Sequence, residues 1–208
     1  MRETQNMLKG LLIVISGPSG VGKGTIIQTI LKAVSGLTFS VSATTRQPRE
    51  TEINGIHYHF MNEQEFNRRI ESKGFLEWAK VHDDYYGTPR AFVEEKLALG
   101  RDLILDIDVQ GGLQVQKEFP EGVFIFVAPP TFKSLEERLR LRHTENPEAI
   151  KHRLHNAREE LRQMKAYQYI VVNDILYEAV EDVKAIIRAE RCNRLRRLEE
   201  IQHALSSD

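Results

Sequence analysis

"SGPSGVGKGT", Ser16 to Thr25, follows the apolar run "LLIVI" (Leu11 to Ile15) and precedes "TIIQTILKAV", which has helical spacing. Glycine loses more backbone freedom on ordering than any other residue, so Gly17, Gly20, Gly22 and Gly24 need a reason to be here. A strand, a glycine loop and a helix supply one. Without side chains in the way, successive backbone N–H groups turn inward around an anion at the positive end of the helix. Lys23 then reaches the terminal phosphates of a nucleotide, and the predicted phosphate-contacting set is Gly17, Pro18, Ser19, Gly20, Val21, Gly22, Lys23, Gly24 and Thr25. A tight strand-to-helix turn with no ligand would use the same glycines but has no use for the lysine. The usual pattern puts Ser or Thr directly after that lysine, where its hydroxyl meets a metal ion. Here Gly24 takes the place and Thr25 follows, so metal contact is expected to run through water or carboxylates.

The 208 residues suit one α/β domain with inserts and a well-buried core. A formal charge of −1 offers no electrostatic case for nucleic acid or membrane surfaces. Cys192 is the single cysteine, which excludes an internal disulfide and a cysteine-based zinc site and points to a reducing, cytoplasmic setting. The apolar part of the opening residues runs into the glycine loop, so no signal peptide is expected. The run Val123 to Ala128 is too short to cross a bilayer.

"LLIVI", "LILDI" (Leu103 to Ile107), "VFIFV" (Val123 to Val127) and "YIVV" (Tyr169 to Val172) alternate with helical patterns, which predicts a parallel sheet covered on both faces. Thr88, Pro89 and Gly100 read as the cap, first residue and stop of one helix. Ser134 with Glu137 reads as a capping box, and Asn146 with Pro147 as a third helix start. From Glu178 to about Leu205 the spacing predicts one long helix. Between about Thr38 and Pro89 the alternation gives way to short strands around one helix, a small mixed insert.

"LILDIDVQG" delivers Asp106 and Asp108 at the carboxyl end of a buried strand, where ligands of parallel sheets collect. Residues i and i+2 share a strand face, so both acids are expected on one side. They read either as solvated turn acids or as cleft carboxylates, and two like charges at an apolar strand mouth are costly unless a cation or donor answers them. The insert adds Ser42, Arg46, Arg49 and Tyr58 in "SVSATTRQPRETEINGIHYHF", then Glu77 in "FLEW", then Tyr86 and Thr88 in "YYGTP". Two nearby arginines with tyrosine hydroxyls suit a second phosphate. A carboxylate accepts from the N1–H and N2–H of guanine and repels the N1 acceptor of adenine, so Glu77 favours guanine.

Together "GPSGVGKGT", "SVSATTRQPR", "NGIHYHF", "FLEW", "YYGTP", "LDIDVQG" and "VVND" resemble the guanylate kinase family over essentially the full length. The resemblance implies an α/β fold with a phosphate-loop core around a five-stranded parallel sheet, a GMP-binding insert and an arginine-bearing helical lid. On this division residues 1–37, 90–137 and 160–208 form the core, 38–89 the insert and 138–159 the lid. It implies transfer of the ATP γ-phosphoryl group to GMP, and to dGMP, by a cytoplasmic monomer or homodimer without nucleic-acid or membrane partners. Ser42, Glu77, Thr88 and Asp108 would contact guanine, while Arg46, Arg49, Tyr58 and Tyr86 would hold the GMP phosphate. Lys23, Arg138, Arg142 and Arg153 would serve catalysis, Asn173 would meet adenine, and Mg²⁺ would accompany ATP near Thr25 and Asp106.

Gly24 is similar to the variant loop of adenylate kinases, and His143 in "LRLRHTEN" replaces a family glycine beside Arg142. Two other readings compete: a catalytically silent interaction module that binds phosphorylated peptides through the acceptor site, and a kinase for another acceptor such as AMP or a phosphorylated sugar. Such modules generally carry a degraded phosphate loop, and Glu77 discriminates the acceptors. Trp78 reads as core of the insert, and His57, His59 and His82 as surface or hydrogen-bonded residues.

Overall fold

The computed structural model describes residues 10–81, 83–141 and 147–206. The run after Gly10 forms β1 (Leu12–Ser16), buried at every position. It is the middle strand of a five-stranded sheet ordered β2 (Leu37–Phe39), β7 (Asp102–Asp106), β1, β8 (Val123–Ala128) and β9 (Tyr169–Val172). Every neighbouring pair is parallel; Ile13, for example, lies between Ile104 and Val123.

Alternate residues of β1 supply two different cores. Ile13 and Ile15 pack with α1 (Lys23–Ala33) through Ile26 and Ile30, and with α7 (Leu176–Arg191) through Val183 and Ile187. Leu12 and Val14 face α3 (Arg90–Ala98) through Val93 and Leu97, and α4 (Val109–Glu118) through Val115. A strand covered on both faces must be apolar at odd and even positions alike, which is why "LLIVI" shows no alternation. Each fully buried aliphatic side chain contributes roughly 1.5–3 kcal/mol, so these two interfaces hold the three layers together.

The insert builds a second sheet ordered β4 (His59–Phe60), β3 (Ala43–Thr44), β6 (Asp84–Pro89) and β5 (Phe75–Val81). It is mixed: β3 pairs β4 in parallel, while β6 is antiparallel to both β3 and β5. Helix α2 (Glu63–Glu71), capped by the Asn62 side chain, closes this unit by stacking Phe66 on Phe75 with ring centroids 4.4 Å apart.

Several local expectations are corrected. The edge strand β2 pairs Leu37, Thr38 and Phe39 with Asp102, Leu103 and Ile104, so the first residues of the segment read as insert lie in the parallel sheet. Thr88 is no helix cap: it ends up in β6 opposite Glu77, and Pro89 takes the N-cap position of α3. The capping box of α5 (Phe132–Arg140) is Thr131 with Ser134, not Ser134 with Glu137. The long terminal helix divides into α7 and α8 (Arg194–Ser206), with the Asn193 carbonyl accepting from the amides of Arg196 and Arg197. Trp78 is 39% exposed and lies against Tyr85 instead of in the insert core. Helix α6 spans Pro147–Arg162, and Asn146, expected as its cap, lies outside the described residues.

Candidate active site

The chain leaves β1 through Gly17, Gly20 and Gly22 at φ of 148°, 87° and 99°. Gly22 is the N-cap of α1, and a Cβ there would come within 2.4 Å of the Asn173 Nδ2. That nitrogen, buried at the end of β9, donates to the Val21 carbonyl at 2.8 Å and clamps the loop from behind. Arg138 of α5 donates to the same carbonyl at 3.4 Å, and Arg153 of α6 to the Ser19 hydroxyl at 3.4 Å. Lys23 folds back over the loop, its Nζ donating to the Gly17 carbonyl at 2.7 Å. Gly24 and Thr25 lie on the exposed first turn of α1, and a Cβ at Gly24 would meet nothing within 4 Å. Crowding therefore does not require glycine at 24.

A cleft of about 310 Å³ opens between this loop and the insert. It brings together Gly17, Ser19 and Lys23 from the loop, Asp106 and Asp108 from the end of β7 and the start of α4, and Arg153 from α6. From the insert it takes Ser42, Arg49, Tyr58, Glu77 and Tyr86. Asp106 ends the strand, but Asp108 lies beyond it as the N-cap of α4, accepting from the amides of Gln110 and Gly111 at 2.7 and 3.1 Å. The two acids thus reach one cleft through a strand end and a helix cap, not through a shared strand face. Burial raises the Asp106 carboxyl above its usual range, with Lys23 opposing the rise.

Glu77 is only 4% exposed. Its carboxylate accepts from the Thr88 hydroxyl at 2.6 Å, across the antiparallel pair β5 and β6. Burial pushes its carboxyl up to about 7; the charge of Asp108 adds to the rise and Thr88 opposes it. Gly111 of α4 makes room for it, since a Cβ at that position would stand 2.4 Å from Glu77 Oε2.

Some predicted residues stand behind the cleft instead of lining it. Thr88 is fully buried under Glu77, and Asn173 and Arg138 brace the back of the loop. Arg46 is held by Glu52 and lies over the rings of Tyr58 and Phe60, 5.5 and 5.8 Å from their centroids. Pro18, Gly20 and Val21 shape the loop from within, Val21 fully buried. Arg142 and His143 lie outside the described residues.

Sequence reasoning missed Glu160. With Arg153 and Asn156 it forms one face of α6, at i, i+3 and i+7, turned into the cleft. Burial pushes its carboxyl up to about 7, with Asp108 adding to the rise and Lys23 and the Ser19 amide opposing it. That helical spacing was visible in "RLHNAREE" and could have found it.

A parallel sheet with a glycine loop after its central strand, facing a second basic pocket on an insert, belongs to the phosphate-loop kinases that act on nucleotides. The guanylate kinase family model matches residues 9–190. A guanylate kinase of Caldanaerobacter subterraneus subsp. tengcongensis is 53% identical over 184 residues, covering 88% of this chain and 89% of that one. One from Symbiobacterium thermophilum is 49% identical, covering 92% and 90%. The crystal structure of guanylate kinase from Anaplasma phagocytophilum superposes with a TM-score of 0.74 at 31% identity, covering 91% of this chain and 90% of that one. The chain belongs to the guanylate kinase family.

Proposed function

We propose that the cleft runs its family's reaction with donor and acceptor at opposite ends: the chain phosphorylates GMP to GDP with ATP. The loop at residues 17–25 cradles the ATP phosphates on its backbone amides, with Lys23 leaving the Gly17 carbonyl to neutralise them. Asn173 keeps the loop in shape and borders the adenine. At the other end Arg49, Tyr58 and Tyr86, with Arg46 behind them, hold the GMP phosphate. Glu77, Ser42 and Asp108 face guanine, and Thr88 orients Glu77. Segment 40–89 acts as the acceptor domain and segment 138–159 as the lid.

A GMP phosphate oxygen attacks the γ-phosphorus in line, the bond to the β-phosphate oxygen breaks, and ADP and GDP leave. The phosphate oxygen is already a nucleophile, so no general base is required. Positioning and charge neutralisation do the rest: Arg153 lines the cleft, and Arg138 and Arg142 meet the charge on the moving group once the lid carries them to it. The oxygen donors here, the Asp106 carboxylate and the Thr25 hydroxyl, suit Mg²⁺ held through water. Bound with ATP, it supplies neutralisation of phosphate charge. Among the described residues no helix is long and apolar enough to cross a membrane, and the lone Cys192 fits the reducing cytoplasm.

One observation carries this reading: a buried carboxylate, Glu77, shares a cleft with the loop lysine and with Arg49. The test is ADP release with GMP, AMP, CMP and UMP as acceptors. GMP is expected to dominate; equal use of AMP overturns the base assignment, and no release with any acceptor overturns the kinase reading.

A further inference from the structure

The segment between β3 and β4 carries both arginines assigned to the acceptor phosphate, yet it has almost no regular structure. Among the described residues its strand pairing is one isolated bridge, Asn54 with Tyr58, and its other backbone hydrogen bonds are turn contacts, mostly at residues 53–58. The arginine-bearing stretch 46–52 has few such bonds, and a loose stretch there would pay the ordering cost of two long arginine side chains at every binding event.

Glu52 meets that need. Its Oε1 and Oε2 accept from Arg46 Nη2 at 2.8 and 2.9 Å, and Oε2 also accepts from the Arg49 backbone amide at 2.8 Å. The Glu52 amide returns a bond to the Arg49 carbonyl at 3.0 Å. Arg46 Nη1 donates to the Gln47 carbonyl at 2.7 Å, so both terminal guanidinium nitrogens are engaged and its plane is fixed. The fixed plane lies over Tyr58, whose ring meets Tyr86 edge-on at 5.9 Å. Both tyrosines line the cleft. Exposed ion pairs contribute little, but here the side chains of Arg46 and Glu52 are 19% and 13% exposed and the carboxylate also binds backbone.

We propose that Glu52 is a positioning residue for the reaction: by holding the Arg46 guanidinium and the Arg49 backbone together, it sets the geometry of the GMP phosphate pocket. The proposal rests on the assignment of those arginines made above. A carboxylate that merely competed with phosphate for Arg46 would stand in the cleft. Glu52 is not among the residues that line it, and the guanidinium it holds lies over Tyr58, which does.

The experiment compares steady-state kinetics of the full chain with Glu52→Gln, Glu52→Asp, Arg46→Ala and the double variant Arg46→Ala/Glu52→Gln. Losing charged hydrogen bonds behind the pocket is expected to raise the KM for GMP about 10-fold in Glu52→Gln, with kcat and the KM for ATP within about twofold of the parent. Glu52→Asp, which keeps the charge, is expected to fall between, and the double variant to show less than the product of the single effects. A lowered or unchanged KM for GMP in Glu52→Gln, with Arg46→Ala impaired, overturns the positioning role alone. Equal rises in the two KM values overturn it as well, since they mark general loosening. If Glu52→Gln does not fold, Glu52→Asp decides by the same split between GMP and ATP. An unchanged KM for GMP in Arg46→Ala removes the phosphate-pocket assignment and this proposal with it.

Discussion

Replacing Glu77 by Gln should make this protein progressively more stable relative to the parent as pH rises, while weakening its use of GMP. Glu77 is 4% exposed and its carboxyl is pushed from 4.5 up to about 7, mainly by burial. Between those values the folded chain holds a proton that the unfolded chain has released. The stability that this bound proton contributes is complete below the unfolded value and is lost as pH rises through the folded one. A rise from 4.5 to about 7 corresponds to about 3 kcal/mol at roughly 1.4 kcal/mol per unit. The amide has no such titration. The stability difference between variant and parent should therefore grow by about 3 kcal/mol between pH 4.5 and pH 8, whatever fixed cost the amide carries. Urea denaturation across that range, followed by the fluorescence of Trp78, the single tryptophan, measures it directly. In the same variant the amide offers guanine one acceptor where two charged oxygens stood, and GMP use should fall about 10- to 100-fold. A difference in stability that stays flat with pH would refute the burial argument. Unchanged GMP kinetics would refute the guanine contact.

At the phosphate loop, Gly22→Ala should cost about 1–3 kcal/mol of stability and abolish ATP binding by calorimetry, because φ is 99° and the new methyl meets Asn173 Nδ2. Gly24→Ser, with open space around its Cβ, should bind ATP like the parent; equal damage from both changes would contradict the clamp from Asn173. Glu160→Gln should lower the KM for ATP at pH 8 and leave it unchanged at pH 6, since the carboxyl, pushed up to about 7, carries its charge beside the loop only at the higher pH. Identical pH profiles for variant and parent would exclude Glu160 from the donor site.

The parts legible in the sequence are those where neighbours along the chain impose the constraint. Ser16 to Thr25 could be placed between a strand and a helix because glycine spacing, an apolar run and a helical period are all local. Lys23 was found for the same reason, as a member of that loop, whereas Arg153 came only from the family resemblance. The edge strand β2 was missed as part of the core sheet because three half-buried residues carry no apolar run. Thr88 looked like a cap because Thr followed by Pro is a local helix signal, and pairing of β6 with β5 overrode it.

What the sequence determined by itself was the donor end of the site: the order of strand, loop and helix, the lysine, and the acids at the mouth of a second strand. At the acceptor end the sequence offered the residue types, and tertiary structure decided their environment and the help they receive, as it did for Glu160 at the donor end. The raised Glu77 carboxyl, the space left by Gly111, the hold of Glu52 on Arg46 and the turn of Glu160 into the cleft all depend on burial and on partners brought in by folding. Residue types state which bonds a side chain can make. Only the packed chain removes water from around it, and the loss of water is what makes one carboxylate among many a specific one.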